Sequence, residues 1–396
     1  MPTIPASISQ LTADAETLID RLIAWSNLNS GSTHLAGLGR MADELESALR
    51  ELTPDITRIP LDDHGRVAIR ATCRVGADRR ILCSGHYDTV FNETHSFQRA
   101  RRTGDGQRLN GPGVADMKGG IVAMLATLAA FEQTAHAANL GWTVLLTPDE
   151  ETGSVASCAT IRSEAPLHEL ALVFEPARES GAMVRSRAAT GVFDLTVHGR
   201  AAHAGRNPED GRNAIMAVSR LLPAIDQLPS QIDELMVNIA TIRGGGTINI
   251  VPDSATVELN ARASTTTAAE RFSAELAKIA ASIHDQNGFR ATFSGAFNRD
   301  PLQSTPLREQ LFTELQGCAR ELGQPALEWA HVTGGSDANL LQAAGLPCLD
   351  GLGPIGGGLH SADEYIEVPS LVARAQLAAL FLHRLANGQI TVPQRS

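Results

Sequence analysis

Apolar residues recur at helical spacing in some stretches of the chain and run together or alternate in others. Leu18, Ile19, Leu22 and Ile23 predict a first helix, and the periodic run from Met41 to Leu49, after the glycine-rich GLGR break, predicts a second. VAIRATC and RRILCSG are short runs closed by turn residues and predict strands, the second ending just before His86. Residues 119–136 predict a helix, GWTVLLTPDEETG a strand and loop, Ala156–Ile161 the start of another helix, and ELALVFEPA a further strand. This β-α-β-α-β order predicts an α/β sheet covered on both faces. Ligands of such sheets collect beyond the carboxyl ends of the strands.

The pattern changes near residue 188. TGVFDLTVHGR alternates, NAIMAVSRLLPAIDQL is amphipathic, TINIVPDSATVELNARAS predicts two strands around a turn, and AAERFSAELAKIAASIHDQ predicts a helix followed by strand-like FRATFSG. Half-exposed strands beside two helices predict a small α+β insertion over residues 188–298. The helix REQLFTELQGCARELG, the segment LPCLDGLGPIGGGLHS and the helix SLVARAQLAALFLHRLA then return to the first style. A discontinuous catalytic domain, 1–187 and 299–396, is therefore expected.

Composition narrows the function. The chain has 396 residues, 43% of them hydrophobic and 19% charged, which fits a folded globular protein. Its formal net charge of -11 gives no electrostatic reason to bind nucleic acid, and no nucleic-acid partner is expected. Lys118 and Lys278 are its two lysines, which leaves few candidates for Schiff-base chemistry. The five cysteines are scattered and never form a CxxC pair, as in a reducing compartment. No basic-then-apolar leader is visible, and the apolar stretch Ile121–Phe131 is too short to cross a bilayer. A cytoplasmic protein without a membrane anchor is expected.

Candidate chemistry sits in loops that follow predicted strands. His86 and Asp88 lie in SGHYDTV, Asp116 in GPGVADMKGG, Glu150 and Glu151 in TPDEETG, Glu175 in VFEPA, and His360 in GGGLHSADE. Each has a plainer reading alone: a surface histidine, a helix cap, a solvated acidic loop. Glu175 is harder to dismiss, because it closes the apolar strand ALVF, where an unpaired carboxylate would be costly. Together they offer hard oxygen and borderline nitrogen ligands that suit zinc and accept cobalt or manganese.

GHYDTV, GPGVADMKGG and DEETGS resemble the GHxDTV, G-x-G-x-x-D-x-K-G-G and paired-glutamate segments of the M20 family of metallopeptidases and amidohydrolases. The likeness covers nearly the whole chain and is strongest with the glutamate carboxypeptidase (carboxypeptidase G2)-like branch. It implies a three-layer, zinc-peptidase-like catalytic domain with an inserted smaller lid and dimerisation domain. It also implies two divalent cations, one held by His86 and Glu175, the other by Glu151 and His360, with Asp116 bridging. Glu150 would be the base, and Asp88 would stand behind the ligating histidine to fix its tautomer.

In the insertion, His203 in RAAHAGRNP looks like the family histidine that stabilises the oxyanion. Asn249 in GGGTINIVPD and Arg262 in ELNARAS look like substrate-binding residues. A guanidinium fork matches a planar carboxylate, so Arg262 would anchor the amino-acid product. Folate-hydrolysing relatives have an arginine after the glycine of the last small-domain strand. Here Gly295 is followed by Ala296, with Arg299 farther on, which argues against claiming folate hydrolysis.

The expected function is a two-metal carboxypeptidase or aminoacylase that cleaves peptides or N-acyl amino acids bearing a free carboxylate. The expected assembly is a homodimer paired through the insertion. The alternatives are a biosynthetic deacylase of the acetylornithine or succinyl-diaminopimelate type and a noncatalytic metal-dependent binding protein.

Overall fold

The computed structural model describes residues 4–284 and 288–393. The chain forms two compact units: Met1–Arg185 with Ser304–His331 and Ser336–Ser396, and Ser186–Gln303 with Val332–Gly335. The second unit begins two residues before the 188–298 division, ends five after it, and takes in the 332–335 loop.

The large sheet has eight strands. Their order is Asp55–Pro60, Val67–Cys73, Gly141–Thr147, Arg80–His86, Leu170–Val173, Cys348–Asp350, Met183–Arg187 and Trp329–Val332. Its centre is parallel: Arg80–His86 runs alongside both Gly141–Thr147 and Leu170–Val173, and Cys348–Asp350 runs parallel to the latter. In these strands both alternating sets of side chains are buried. Ile81, Cys83, Val144, Leu146, Leu170 and Leu172 join one continuous core with the helices Ala15–Ser26, Leu35–Arg50, Lys118–Glu132 and Val368–Ala386. Leu82, Leu145, Ala171 and Val173 lie on the opposite face and are equally buried, which is why the strands read as continuous apolar runs.

The GLGR segment does not break a helix. Leu35–Arg50 is a single helix that runs through it. Gly37 is there for space: a Cβ would lie 2.2 Å from the carbonyl oxygen of Asn29.

The second unit carries a four-stranded antiparallel sheet in the order Leu235–Gly244, Ser254–Ala263, Ala189–His198, Arg290–Arg299. The helices Ala214–Asp226 and Thr266–Ile283 pack on it. Phe193, Phe272 and Phe297 meet edge to face at its centre. The strand predicted within TINIV does not form. Gly245 turns the chain at φ 80°, and only Ile250 makes an isolated bridge, to His203. The partner of Ser254–Ala263 is instead Leu235–Gly244, whose inward Val237 and Ile239 supply the alternation. Residues 285 and 286, the end of the helix expected after Ala268, lie outside the described residues. Among the described residues, no helix is long and apolar enough to cross a membrane.

Candidate metal centre

The parallel strands set the site. His86 ends its strand with its Cα opposite Thr147, so the loop carrying Glu150 and Glu151 leaves from the same end of the sheet. Glu175 follows the neighbouring strand Leu170–Val173, and the chain beyond Cys348–Asp350 leads to His360. Asp116 lies two residues before the helix Lys118–Glu132, with Met117 between them at the N-cap. That helix starts hard against the strand end, since a Cβ on Gly120 would lie 1.9 Å from the carbonyl oxygen of Phe174. The KGG glycines are therefore a packing requirement, Gly119 against Val114 O and Gly120 against Phe174 O, that seats the helix following Asp116.

Side chains from these loops converge. His86 Nε2 lies 3.0 Å from Asp116 Oδ1, 3.7 Å from Glu175 Oε1 and 4.0 Å from Glu150 Oε2. His360 Nε2 lies 3.4 Å from Asp116 Oδ2 and 3.1 Å from Glu151 Oε2. Asp116 thus turns one oxygen toward each imidazole. One ligand atom each from His86, Asp116 and Glu151 fall within 4.8 Å of one another. His360 holds a left-handed backbone at φ 61°, a conformation a β-carbon disfavours and one that recurs at functional sites.

The electrostatics are those of a cluster built around positive charge. Burial opposes protonation of His86, but hydrogen bonds with Asp116 and Asp88 and the field of Glu175 carry it well above the ordinary imidazole value. Hydrogen bonds with Asp116 and then Glu151 push His360 up to about 10. Burial, followed by the charge of Asp116, pushes Glu151 up to about 8. Burial alone would raise Asp116, yet His360 and His86 hold it well below the carboxylate range.

Asp88, fully buried, ties these loops together. Its Oδ1 accepts the Glu150 backbone N–H at 3.1 Å; its Oδ2 accepts that of Glu151 at 3.2 Å and the Ser32 hydroxyl at 2.7 Å. His86 Nδ1 sits 3.3 Å from Asp88 Oδ1 and 3.1 Å from the Asp88 carbonyl oxygen, so both acceptors favour a proton on Nδ1 and leave Nε2 to face the cluster.

Residues 82–384 match the family described as Peptidase family M20/M25/M40. The chain belongs to this family. As an M20 protein it is a metal-dependent hydrolase. It is 26% identical to carboxypeptidase G2 of Pseudomonas sp. (strain RS-16) over 390 residues, covering 96% of this chain and 91% of that protein. It is 25% identical to succinyl-diaminopimelate desuccinylase of Variovorax paradoxus (strain S110), covering 80% and 84%. The aminopeptidase PepT of Bacillus cereus ATCC 10987 shares the fold, with a TM-score of 0.76 and 19% identity over 94% of this chain and 99% of that one.

The M20 donor set fits divalent cations on chemical grounds. Buried carboxylates packed this closely need compensating positive charge, and the ion-pair partners of Asp116 and Glu151 are imidazoles, which become neutral ligands once deprotonated.

His203, Asn249 and Arg262 all lie in the second unit. The backbones of His203 and Asn249 are adjacent: Ala204 N–H donates to Asn249 O at 2.9 Å, and His203 Nδ1 accepts from the N–H groups of Gly205 and Arg206. That leaves Nε2 as the ring's remaining donor. Arg262 Nη1 donates to Thr333 O at 2.6 Å, in the TGGSDAN segment. Arg299 is buried beneath the same segment, its Nη1 3.1 Å from where a Cβ on Gly335 would stand.

Two residues of the centre carried no sequence-based role. Lys118 is buried and donates from Nζ to the carbonyl oxygens of Trp25 and Leu28 at 3.0 and 2.8 Å, anchoring the start of the helix behind Asp116. Glu364 lies four residues beyond His360 and accepts backbone N–H groups of the Asp116 loop.

Proposed function

We propose that the protein hydrolyses the amide bond of peptides or N-acyl amino acids that carry a free carboxylate, using two divalent cations, zinc first among them. His86 and Glu175 would hold one cation and Glu151 and His360 the other, with one oxygen of Asp116 on each. The observation that carries this reading is the split of Asp116, with Oδ1 toward His86 and Oδ2 toward His360. When bound, such cations supply Lewis acidity toward the scissile carbonyl and lower the pKa of the attacking water.

The chain's own residues do the rest. Glu150 stands at the edge of the cluster and takes the proton from the attacking water, then delivers it to the leaving nitrogen. By resemblance to dimeric members of the family, His203 of one subunit would donate from Nε2 to the oxyanion forming at the other subunit's metals. Arg262, supported at Thr333, offers the rest of its guanidinium fork to the substrate carboxylate, and Asn249 helps to position it.

The same reading includes a homodimer paired through the second unit. Its edge strand Leu235–Gly244 leaves Met236 56% and Ile242 51% exposed. An apolar sheet edge of this kind is a pairing surface unless something covers it. The cysteines are scattered along the chain and never form a CxxC pair, which supports a reducing, cytoplasmic setting.

The test is a mass-detected panel of dipeptides and N-acyl amino acids, with the Glu150→Ala protein as control. Release of an amino acid by the wild type and not by the control supports the reading, and no amide cleavage across the panel contradicts it. The likeness to succinyl-diaminopimelate desuccinylase supports a second reading, a biosynthetic deacylase. Turnover confined to one acetyl or succinyl donor would select it.

A further inference from the structure

His360 and Asp116 are 244 residues apart in the chain, yet their side chains meet at 3.4 Å. Something must set that register. His360 itself is a poor guide, because its side chain is 55% exposed. The segment that follows it is held far more firmly, and the grip comes from one carboxylate.

Glu364 is 1% exposed. Its Oε2 accepts the backbone N–H of Gly113 at 3.1 Å, and its Oε1 accepts those of Ala115 at 2.9 Å and Asp116 at 3.1 Å. Backbone N–H groups of one loop converging on an anion form a fixed, positively polarised cradle. Charge-assisted bonds of this kind are roughly twice as strong as neutral ones. Both oxygens are committed to these donors, so Glu364 acts through the backbone of the Asp116 loop.

A second set of contacts keeps the two segments in register. Asn110 Nδ2 donates to the carbonyl oxygens of Ala362 at 3.0 Å and Glu364 at 2.7 Å, and Gly111 N–H donates to Glu364 O at 3.1 Å. The strands Arg108–Asn110 and Tyr365–Glu367 then pair antiparallel, with Asn110 opposite Tyr365.

We propose that Glu364 is a positioning residue for the cation shared by Asp116, Glu151 and His360, setting the spacing between the Asp116 loop and the His360 loop. This rests on the two-metal reading above. Glu364 fixes the His360 side of the centre, whereas His86 and Glu175 are fixed by the large sheet. The helix packed against Phe174 O already seats Asp116, so loss of the Glu364 carboxylate releases the His360 loop and weakens the Glu151–His360 site selectively. Glutamine keeps the length but turns an amide NH2 toward one of the backbone N–H donors, so the cradle is lost without a cavity.

The experiment titrates chelator-stripped wild type, Glu364→Gln and Asn110→Ala with Zn2+ alone, by calorimetry and elemental analysis. It is paired with kcat and KM at rising Zn2+ and with the melting temperature of each stripped protein. The wild type should bind two ions. Glu364→Gln should keep one at wild-type affinity and hold the other about 10- to 100-fold more weakly. Excess Zn2+ should restore kcat, with KM unchanged. Asn110→Ala keeps the carboxylate and should shift the same site in the same direction by a smaller factor; it also provides the readout if Glu364→Gln fails to fold.

Two ions at wild-type affinity in the variant would overturn the proposal, as would equal weakening of both sites, the mark of a general structural role. Failure of the wild type itself to bind two ions would sink the two-metal reading instead.

Discussion

Asp88 Oδ2 accepts the backbone N–H of Glu151 at 3.2 Å. With Oδ1 on the N–H of Glu150 and beside His86 Nδ1, one buried side chain aims a histidine and orients the neighbouring loop. Asp88→Asn leaves one oxygen and sets an NH2 against a backbone N–H. Zn2+ affinity should fall about 10- to 100-fold. Competition with a chromophoric chelator measures this, and an unchanged affinity would show that Asp88 merely fills space.

Glu150 stands at the margin, 4.0 Å from His86 Nε2, while Asp116 touches both imidazoles. Glu150→Gln should therefore keep both cations and lose about 10²- to 10⁴-fold in kcat. Elemental analysis beside steady-state kinetics separates the two effects. Loss of a cation in this variant would make Glu150 a ligand rather than the base.

The pH dependence of stability should differ with and without chelator. His360 is raised from 6.5 to about 10, first of all by Asp116, so this pairing stabilises fully below pH 6.5 and fades as pH rises through about 10. Glu151 is raised from 4.5 to about 8, chiefly by burial, and its contribution has the same sign, fading as pH rises through about 8. The chelated protein should lose melting temperature steadily from pH 6.5 to 10. The zinc-loaded protein should be flatter across that window, because coordination already keeps the imidazole neutral and the carboxylate ionised. Parallel profiles would contradict the assignment of these residues as ligands.

Gly120→Ala tests how the helix Lys118–Glu132 seats Asp116. Alanine in a helix normally gains about 0.5–1 kcal/mol over glycine. Here the new methyl would lie 1.9 Å from Phe174 O, one residue before Glu175, so the sign should reverse. Overpacking of this kind costs about 1–3 kcal/mol. Chemical denaturation reads the loss, and a stabilised variant would mean that the helix is free to move away.

Met236→Lys with Ile242→Lys should convert a dimer to a monomer in sedimentation velocity. A wild type that sediments as a monomer would remove the pairing role from this edge strand.

What could be read from the sequence follows from periodicity and chemistry. The parallel strands announced themselves because both of their faces are buried, and His86, Glu150, Glu151 and Glu175 could be picked out just beyond apolar runs, whereas Asp116 and His360 sit in glycine-rich loops and were marked by the family motifs. Gly37 misled because glycine marks both breaks and close approaches, and only the position of Asn29 O shows which applies. The strand Leu235–Gly244 was hidden by its polar, exposed outer end and a bulge between Ile239 and Thr241. Glu364 was visible in GGGLHSADE as an acidic residue four places after His360. Its work depends on backbone N–H groups about 250 residues away, which no local pattern encodes.

The most direct measurement is anomalous diffraction at the zinc edge from crystals of the metal-loaded protein. Two peaks should appear, both in contact with Asp116, one beside His86 and Glu175 and the other beside Glu151 and His360. A single peak, or two that do not share Asp116, would contradict the two-cation centre.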